Sequence, residues 1–246
     1  MRIAFDLDGV LADLHGAFVA AARKLYPELD SAAIGSPDVG SSPPEADAPT
    51  APKPSVPISR TTNVPLTSRQ TEAVWKALVD VPDFWESLQE IEPGMIRRLA
   101  GLADERRWEM LFITSRPKSA GRTVQRQSQR WLQELGFPMP SVYVVQGSRG
   151  QIAKALQIDV VVDDRPENCL DVALESQAGS ILVWRGQRES VPASARRMGI
   201  AVVTSVAQCL DSLVEIEKSN DGGSLLDRLR RIFGLRTARN PLGQSQ

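Results

Sequence analysis

Residues 3–11 read IAFDLDGVL. Apolar residues lead into Asp6, Asp8 follows two positions later, and Gly9 breaks the run. A short apolar run closed by a glycine turn predicts a strand buried on both faces, as in a parallel sheet. Period-two geometry places Asp6 and Asp8 on one side, about 7 Å apart along an extended strand. In open parallel sheets function gathers at the carboxyl ends of strands, so this strand end is the first place to look for chemistry.

Working outward, 14–26 (LHGAFVAAARKLY) has helical spacing, with Leu14, Phe18 and Leu25 on one side. Residues 31–66 hold eight of the 17 prolines, six serines and no aromatic residue. Such a composition cannot bury enough apolar surface to offset its ordering entropy and predicts a disordered insertion. Helical spacing resumes over 68–80, and a turn-rich bridge then carries Phe84 and Trp85. From Pro93 helices and strands alternate: a helix, EMLFIT, a helix, SVYVV, a short helix, IDVVVDD, a helix, SILVW and IAVVT. That alternation predicts crossover units and a parallel sheet. The tail at 225–236 (LLDRLRRIFGLR) is a basic amphipathic helix. It either docks on the domain or offers a membrane-surface or protein contact.

Three predicted strands end in polar residues: Asp6 with Asp8, Thr114 with Ser115, and Asp163 with Asp164. Two carboxylate pairs at one sheet edge repel, and a hard divalent cation with oxygen ligands offsets that repulsion. Magnesium takes a few carboxylates and leaves room for a phosphate oxygen. Composition narrows the partners. The 246 residues carry 29 basic and 30 acidic side chains, a net charge of -1, which gives no footprint for polymeric nucleic acid. Cys169 and Cys209 form no CxxC pair, so neither a disulfide framework nor a zinc site is expected, and a reducing cytoplasm is. Neither a signal peptide nor a transmembrane segment is expected.

The stretches FDLDGVL, FITSRP and VVVDDRPEN resemble the haloacid dehalogenase (HAD) superfamily of aspartate-nucleophile phosphotransferases. The DGVLAD opening, TSRP and DDRPEN look like its 5'(3')-deoxyribonucleotidase branch. The resemblance implies an α/β fold: a three-layer Rossmann-like core with a parallel sheet and a small helical cap inserted after the first strand. The core would comprise 1–13 and 93–217, the cap 14–92, and a linker with the basic tail 218–246. Asp6 would be the nucleophile and form an aspartyl-phosphate. Asp8 would protonate the leaving group and then activate water. Magnesium would be held by Asp6, the Asp8 carbonyl and Asp163, with Asp164 holding its waters. Thr114, Ser115 and Gly9 would line the phosphate.

The basic residue expected to face that phosphate has two candidates. Lys154 has the family's residue type but stands five residues into its helix. That is about 7.5 Å from the sheet edge where the helix begins. Arg149 stands at the start, and geometry favours it. Phe84 and Trp85, with Trp75 behind them, are candidates either to stack on a substrate base or to staple the cap to the core. Arg116 and Arg165 follow strand ends and read either as surface salt bridges or as residues that contact the substrate or support those that do. Asn168 reads as a helix-start partner, and His15 as a helix-surface or substrate-facing residue. The expected substrate is a small phosphate ester, with nucleoside monophosphates and other metabolites both open. A non-catalytic regulator that binds a phosphorylated ligand is a further alternative.

Overall fold

The computed structural model describes residues 1–27, 66–218 and 225–233. Six parallel strands form one sheet in the order β3-β2-β1-β4-β5-β6. They are β1 (Arg2–Asp6), β2 (Glu109–Thr114), β3 (Ser141–Val144), β4 (Val160–Asp163), β5 (Gly179–Val183) and β6 (Ala201–Val203). The order runs outward in both directions from β1 and β4, so a topological switch point lies between them. That is where open α/β sheets place their sites. Ile3, Ala4 and Phe5 are fully buried, as a strand covered on both faces requires.

The faces of β1 divide the molecule into layers. Ile3 and Phe5 look toward α3 (Met95–Arg106), α4 (Val124–Glu134) and α8 (Val206–Lys218). Ala4 looks the other way, toward α5 (Arg149–Ala155) and α6 (Pro166–Glu175). The short α7 (Ala193–Arg197) covers Leu182 and Cys169 on that second face. Most boundaries follow the sequence pattern to within a residue. The expected set omits α7 and α8, although Val206, Cys209, Leu210, Leu213 and Ile216 recur at helical spacing and are fully buried.

Between β1 and α3 the chain forms α1 (Leu14–Leu25), α2 (Ser68–Val79) and a single 3-10 turn at Phe84–Glu86. Asp13 caps α1 by accepting from the Gly16 amide at 2.8 Å. Thr67 and Gln70 form a capping box at the start of α2. Phe18 and Trp75 meet with ring centroids 5.4 Å apart. Phe18, Val74, Trp85 and Leu88 belong to the same apolar cluster as Ile3 and Phe5, so this helical insertion packs directly on the sheet layer. Of the expected 31–66 stretch, all but Leu66 lies outside the described residues.

The turn after β1 is braced from several sides. The Leu11 and Ala12 amides donate to the Leu7 carbonyl. The insertion leaves and returns side by side, with Asp13 donating to Gln89 and Ile91 to Leu11. Arg185 donates to the carbonyls of Gly9 at 2.5 Å and Val10 at 3.1 Å, and pairs with Glu92 at 2.8 Å. Glu92 also accepts from the Val206 and Ala207 amides at the start of α8. Burial raises the Glu92 carboxyl, but these amides and Arg185 outweigh it and hold it below the usual range.

The tail helix α9 (Leu225–Ile232) docks: Leu229 is buried, and Ile232 and Phe233 pack against the main cluster. Of the two alternatives for the tail, docking on the domain is the one these residues take. No helix among the described residues is long and apolar enough to cross a membrane.

Candidate active site

Register assembles the carboxylates. Phe5 pairs with Val162 across β1 and β4, so the next step sets Asp6 beside Asp163. Asp6 pairs with Ile113 on the other side, next to Thr114. Both pairs of acids therefore meet at one edge of the sheet. Asp8 lies beyond the end of β1, in the turn, and not within an extended run as the alternation suggested. Asp6, Asp8, Thr114, Ser115, Arg116, Arg149, Asp164 and Arg165 all line one cavity of about 50 Å³, together with Leu14, Trp75, Trp85, Pro117 and Asn168.

Arg149 owes its aim to its neighbours. The Ser148 hydroxyl caps α5 by accepting from the Gln151 amide and donates to Asp171 at 2.8 Å. The Gly150 amide donates to the same carboxylate at 3.0 Å, and a Cβ on Gly150 would stand 2.4 Å from the Asp171 carbonyl oxygen. The sequence SRG thus locks the first turn of α5 against α6 and turns Arg149 inward. Arg149 is 5% exposed, and its Nη2 donates to Asp6 Oδ1 at 2.9 Å. Its Nε lies 3.8 Å from Asp163 Oδ2. Nε and Nη1 are buried and have no hydrogen-bond partner. Lys154 is solvent-exposed on the same helix and does not enter the cavity.

Three acids crowd this half of the site. Burial pushes the Asp6 carboxyl well up, Asp163 adds to it, and Arg149 opposes. Burial also raises Asp163, against Arg149 and hydrogen bonds from the Arg165 amide and Asn168. Asp164 is pushed up to about 8 by burial and then by Asp163. Gly9, with φ +81°, lies against Asp164: a Cβ there would fall 2.1 Å from Oδ2. The close approach that calls for glycine is thus to this carboxylate, and Gly9 is not among the cavity-lining residues.

The other half is balanced. Arg116 is 2% exposed. Its Nε reaches both oxygens of Asp8 at 3.0 Å and its Nη2 reaches Oδ1 at 2.8 Å. Nη1 donates to Ser128 at 3.0 Å. The guanidinium lies over the rings of Trp85 and Trp131, 4.9 and 5.6 Å from their centroids. Arg116 is thus neither a surface salt bridge nor an open substrate contact. Ser128 and Trp131 were absent from the expected site. Only the buried face of α4 marks them in the sequence, and any core helix has such a face.

The aromatic candidates separate. Trp75 and Trp85 border the cavity, whereas Phe84 packs on Trp85, with centroids 4.8 Å apart, and does not line it. Both rings of the pair are enclosed, Phe84 at 4% and Trp85 at 0% exposure, so the stapling role fits both, and Trp75 is the one that keeps exposed surface. His15 does not line the cavity either.

Among the described residues, no three acid, histidine or cysteine side chains converge as an ion would require. Asp8 is turned to Arg116, and both Asp163 oxygens already accept hydrogen bonds. The donor set still suits magnesium. Asp6, Asp163 and Asp164 are crowded carboxylates faced by Arg149 and, more distantly, Arg165. A hard cation is the ordinary remedy for such an excess. With its side chain committed to Arg116, Asp8 would offer the ion its backbone carbonyl.

No protein-family model matches the chain, and no curated protein does. Solved structures do match. A HAD family hydrolase from Deinococcus radiodurans R1, with bound phosphate and sodium, aligns at 20% identity and a TM-score of 0.51, covering 87% of this chain and 95% of that one. A haloacid dehalogenase-like family hydrolase from Streptococcus pneumoniae aligns at 15% identity and a TM-score of 0.50, covering 86% and 97%. The chain therefore has the Rossmann-like α/β fold of HAD hydrolases, a six-stranded parallel sheet with a helical insertion after its first strand.

Proposed function

We propose that this chain is a magnesium-dependent phosphomonoester hydrolase that works through an aspartyl-phosphate on Asp6. The observation that carries the reading is Arg149. It holds Asp6 with one arm and keeps two buried donors without partners. An unmatched buried donor costs roughly 1–3 kcal/mol, and phosphate oxygens are acceptors of the right geometry for a guanidinium.

The residues divide the work as follows. Asp6 attacks phosphorus, and the bond from phosphorus to the leaving oxygen breaks. Asp8 gives its proton to that oxygen. It then takes a proton from the water that attacks the phospho-aspartate, releasing phosphate and restoring the Asp6 carboxylate. Thr114 and Arg149 hold phosphate oxygens as charge develops on them. Leu14, Trp75, Trp85 and Pro117 wall the cavity and limit its water. Magnesium, held by Asp6, Asp163 and the Asp8 carbonyl with Asp164 ordering its waters, would neutralise phosphate charge and align the displacement.

For the substrate, nucleoside monophosphates follow from the motif resemblance, with Trp75, half-buried at the cavity's border, as the available ring. The cavity favours a second reading. At about 50 Å³ its enclosed part holds the equivalent of roughly four waters, enough for a phosphate group, while a nucleoside would have to lie outside it. A small phosphorylated metabolite fits without movement of the insertion. Cys169 and Cys209 are free and buried, in keeping with a reducing cytoplasm.

The test is a panel of p-nitrophenyl phosphate, nucleoside monophosphates and small sugar or hydroxy-acid phosphates, assayed with magnesium. Phosphate release that disappears in Asp6→Asn supports the enzyme. Metal binding without release from any ester would instead favour a non-catalytic binder of phosphorylated ligands. Faster turnover of nucleotides than of small esters would overturn the size argument.

A further inference from the structure

We infer that Arg116 is a positioning residue that selects which oxygen of Asp8 exchanges the proton, and that Trp85 acts through it. The inference rests on the proposed phosphohydrolase reading.

The fork of hydrogen bonds is lopsided. Asp8 Oδ1 receives Nη2 at 2.8 Å and Nε at 3.0 Å. Oδ2 receives only the shared Nε at 3.0 Å and the Thr114 hydroxyl at 3.5 Å. Oδ1 is therefore the anchored oxygen. Oδ2, on the side of the phosphate-lining Thr114, is the less anchored oxygen and the one turned to the substrate. A carboxyl held by its other oxygen can still donate, whereas a symmetric fork would oppose protonation at both.

The anchor itself is immobile. Nη1 is tied to Ser128, and two indole rings cover the guanidinium. Those rings are fixed in turn: Trp85 Nε1 donates to the Pro117 carbonyl at 3.2 Å, and Trp131 Nε1 to the Leu88 carbonyl at 2.7 Å. Trp85 and Leu88 belong to the return of the insertion, and Pro117 follows Arg116 directly. The insertion thereby sets the place of the acid as well as the wall of the cavity. A buried ion pair is weak evidence for stability, so its place beside the proposed acid points to orientation.

The experiment compares aryl phosphates of one shape and different leaving-group basicity. A p-nitrophenolate leaves without a proton; a phenolate profits from one. The quantity read is kcat/KM, which counts steps only through phosphoenzyme formation. Arg116→Met should lower kcat/KM about tenfold or more further on phenyl phosphate than on p-nitrophenyl phosphate. Asp8→Asn should show the same bias. In the Asp8→Asn background Arg116→Met should cost nothing further, because residues acting as one unit are not additive. Arg116→Lys, which keeps the charge and loses the fork, should be intermediate, and it carries the test if the methionine variant does not fold. Trp85→Phe should shift the ratio in the same direction by less.

Equal losses on both esters in cooperatively melting variants would reduce Arg116 to a structural role and leave the hydrolase reading intact. Losses that add fully to those of Asp8→Asn would do the same. No hydrolysis of any ester, aryl or alkyl, by the wild-type protein with magnesium would remove both readings together.

Discussion

The two halves of the cavity use the same residue types in different balance. On the β2 side one arginine meets one aspartate, and all its arms are engaged by Asp8 and Ser128. On the β4 side Arg149 meets Asp6 and Asp163, Asp164 adds a third buried carboxylate beside Asp163, and two of the Arg149 donors lack partners. The first half is complete as the chain folds. The second has surplus negative charge and spare donors at once, which is the pattern of a place for both a cation and an anion. The contrast teaches that charge count alone does not mark the reacting half; unsatisfied groups do.

The sharpest way to break the comparison is on the surplus side. Asp6→Asn should lower kcat by on the order of 10⁴-fold or more, measured as phosphate release. Arg149→Ala should cost about 10²–10³-fold in kcat/KM. Lys154→Ala should stay within about twofold, because the side chain is in solvent. A larger effect at Lys154 than at Arg149 would reverse the assignment of the phosphate-facing cation.

Magnesium should raise the melting temperature, since a ligand at 100 times its Kd adds about 2.7 kcal/mol. Asp163→Asn should abolish that shift. A shift of undiminished size would move the ion elsewhere. Without metal, the surplus half should make stability fall as pH rises. Burial and Asp163 push Asp164 from the ordinary 3.8 to about 8 on folding, so the folded state holds the extra proton. Its contribution is full below about pH 4 and is lost as pH climbs through about 8, with a slope of up to about 1.4 kcal/mol per pH unit. Asp164→Asn should flatten the profile between those limits, and added magnesium should lessen or reverse the slope.

Glu92 offers the opposite sign and a smaller effect. Its carboxyl is held low, so its contribution is present above its unfolded value and lost as pH falls through its lower folded one. Glu92→Ala should cost about 1–3 kcal/mol in denaturant melts, because the Val206 and Ala207 amides and Arg185 lose a shared partner.

Legibility differed by residue. Asp6, Asp163, Thr114 and Arg149 could be read because strand ends and helix starts have sequence signatures, and an alternating chain sends them to one edge. Phe84 and Trp85 are adjacent, equally aromatic and both buried in the core, yet only Trp85 also borders the cavity. Nothing local separates them, since their directions follow from a single 3-10 turn packed on α4. Gly9 was legible as a tight turn, but its neighbour Asp164 stands 155 positions away in the chain.

The sequence by itself determined a parallel α/β sheet and the strand ends that carry acids. Alternating period-2 and period-3.6 patterns admit few topologies, and a strand places its last residues predictably. Only the tertiary structure decided which charge answers which. Arg116 meets Asp8 across 108 positions and Arg149 meets Asp6 across 143. Pairing over such separations depends on sheet register and on how α4 and α5 sit on their strands, which no local stretch encodes.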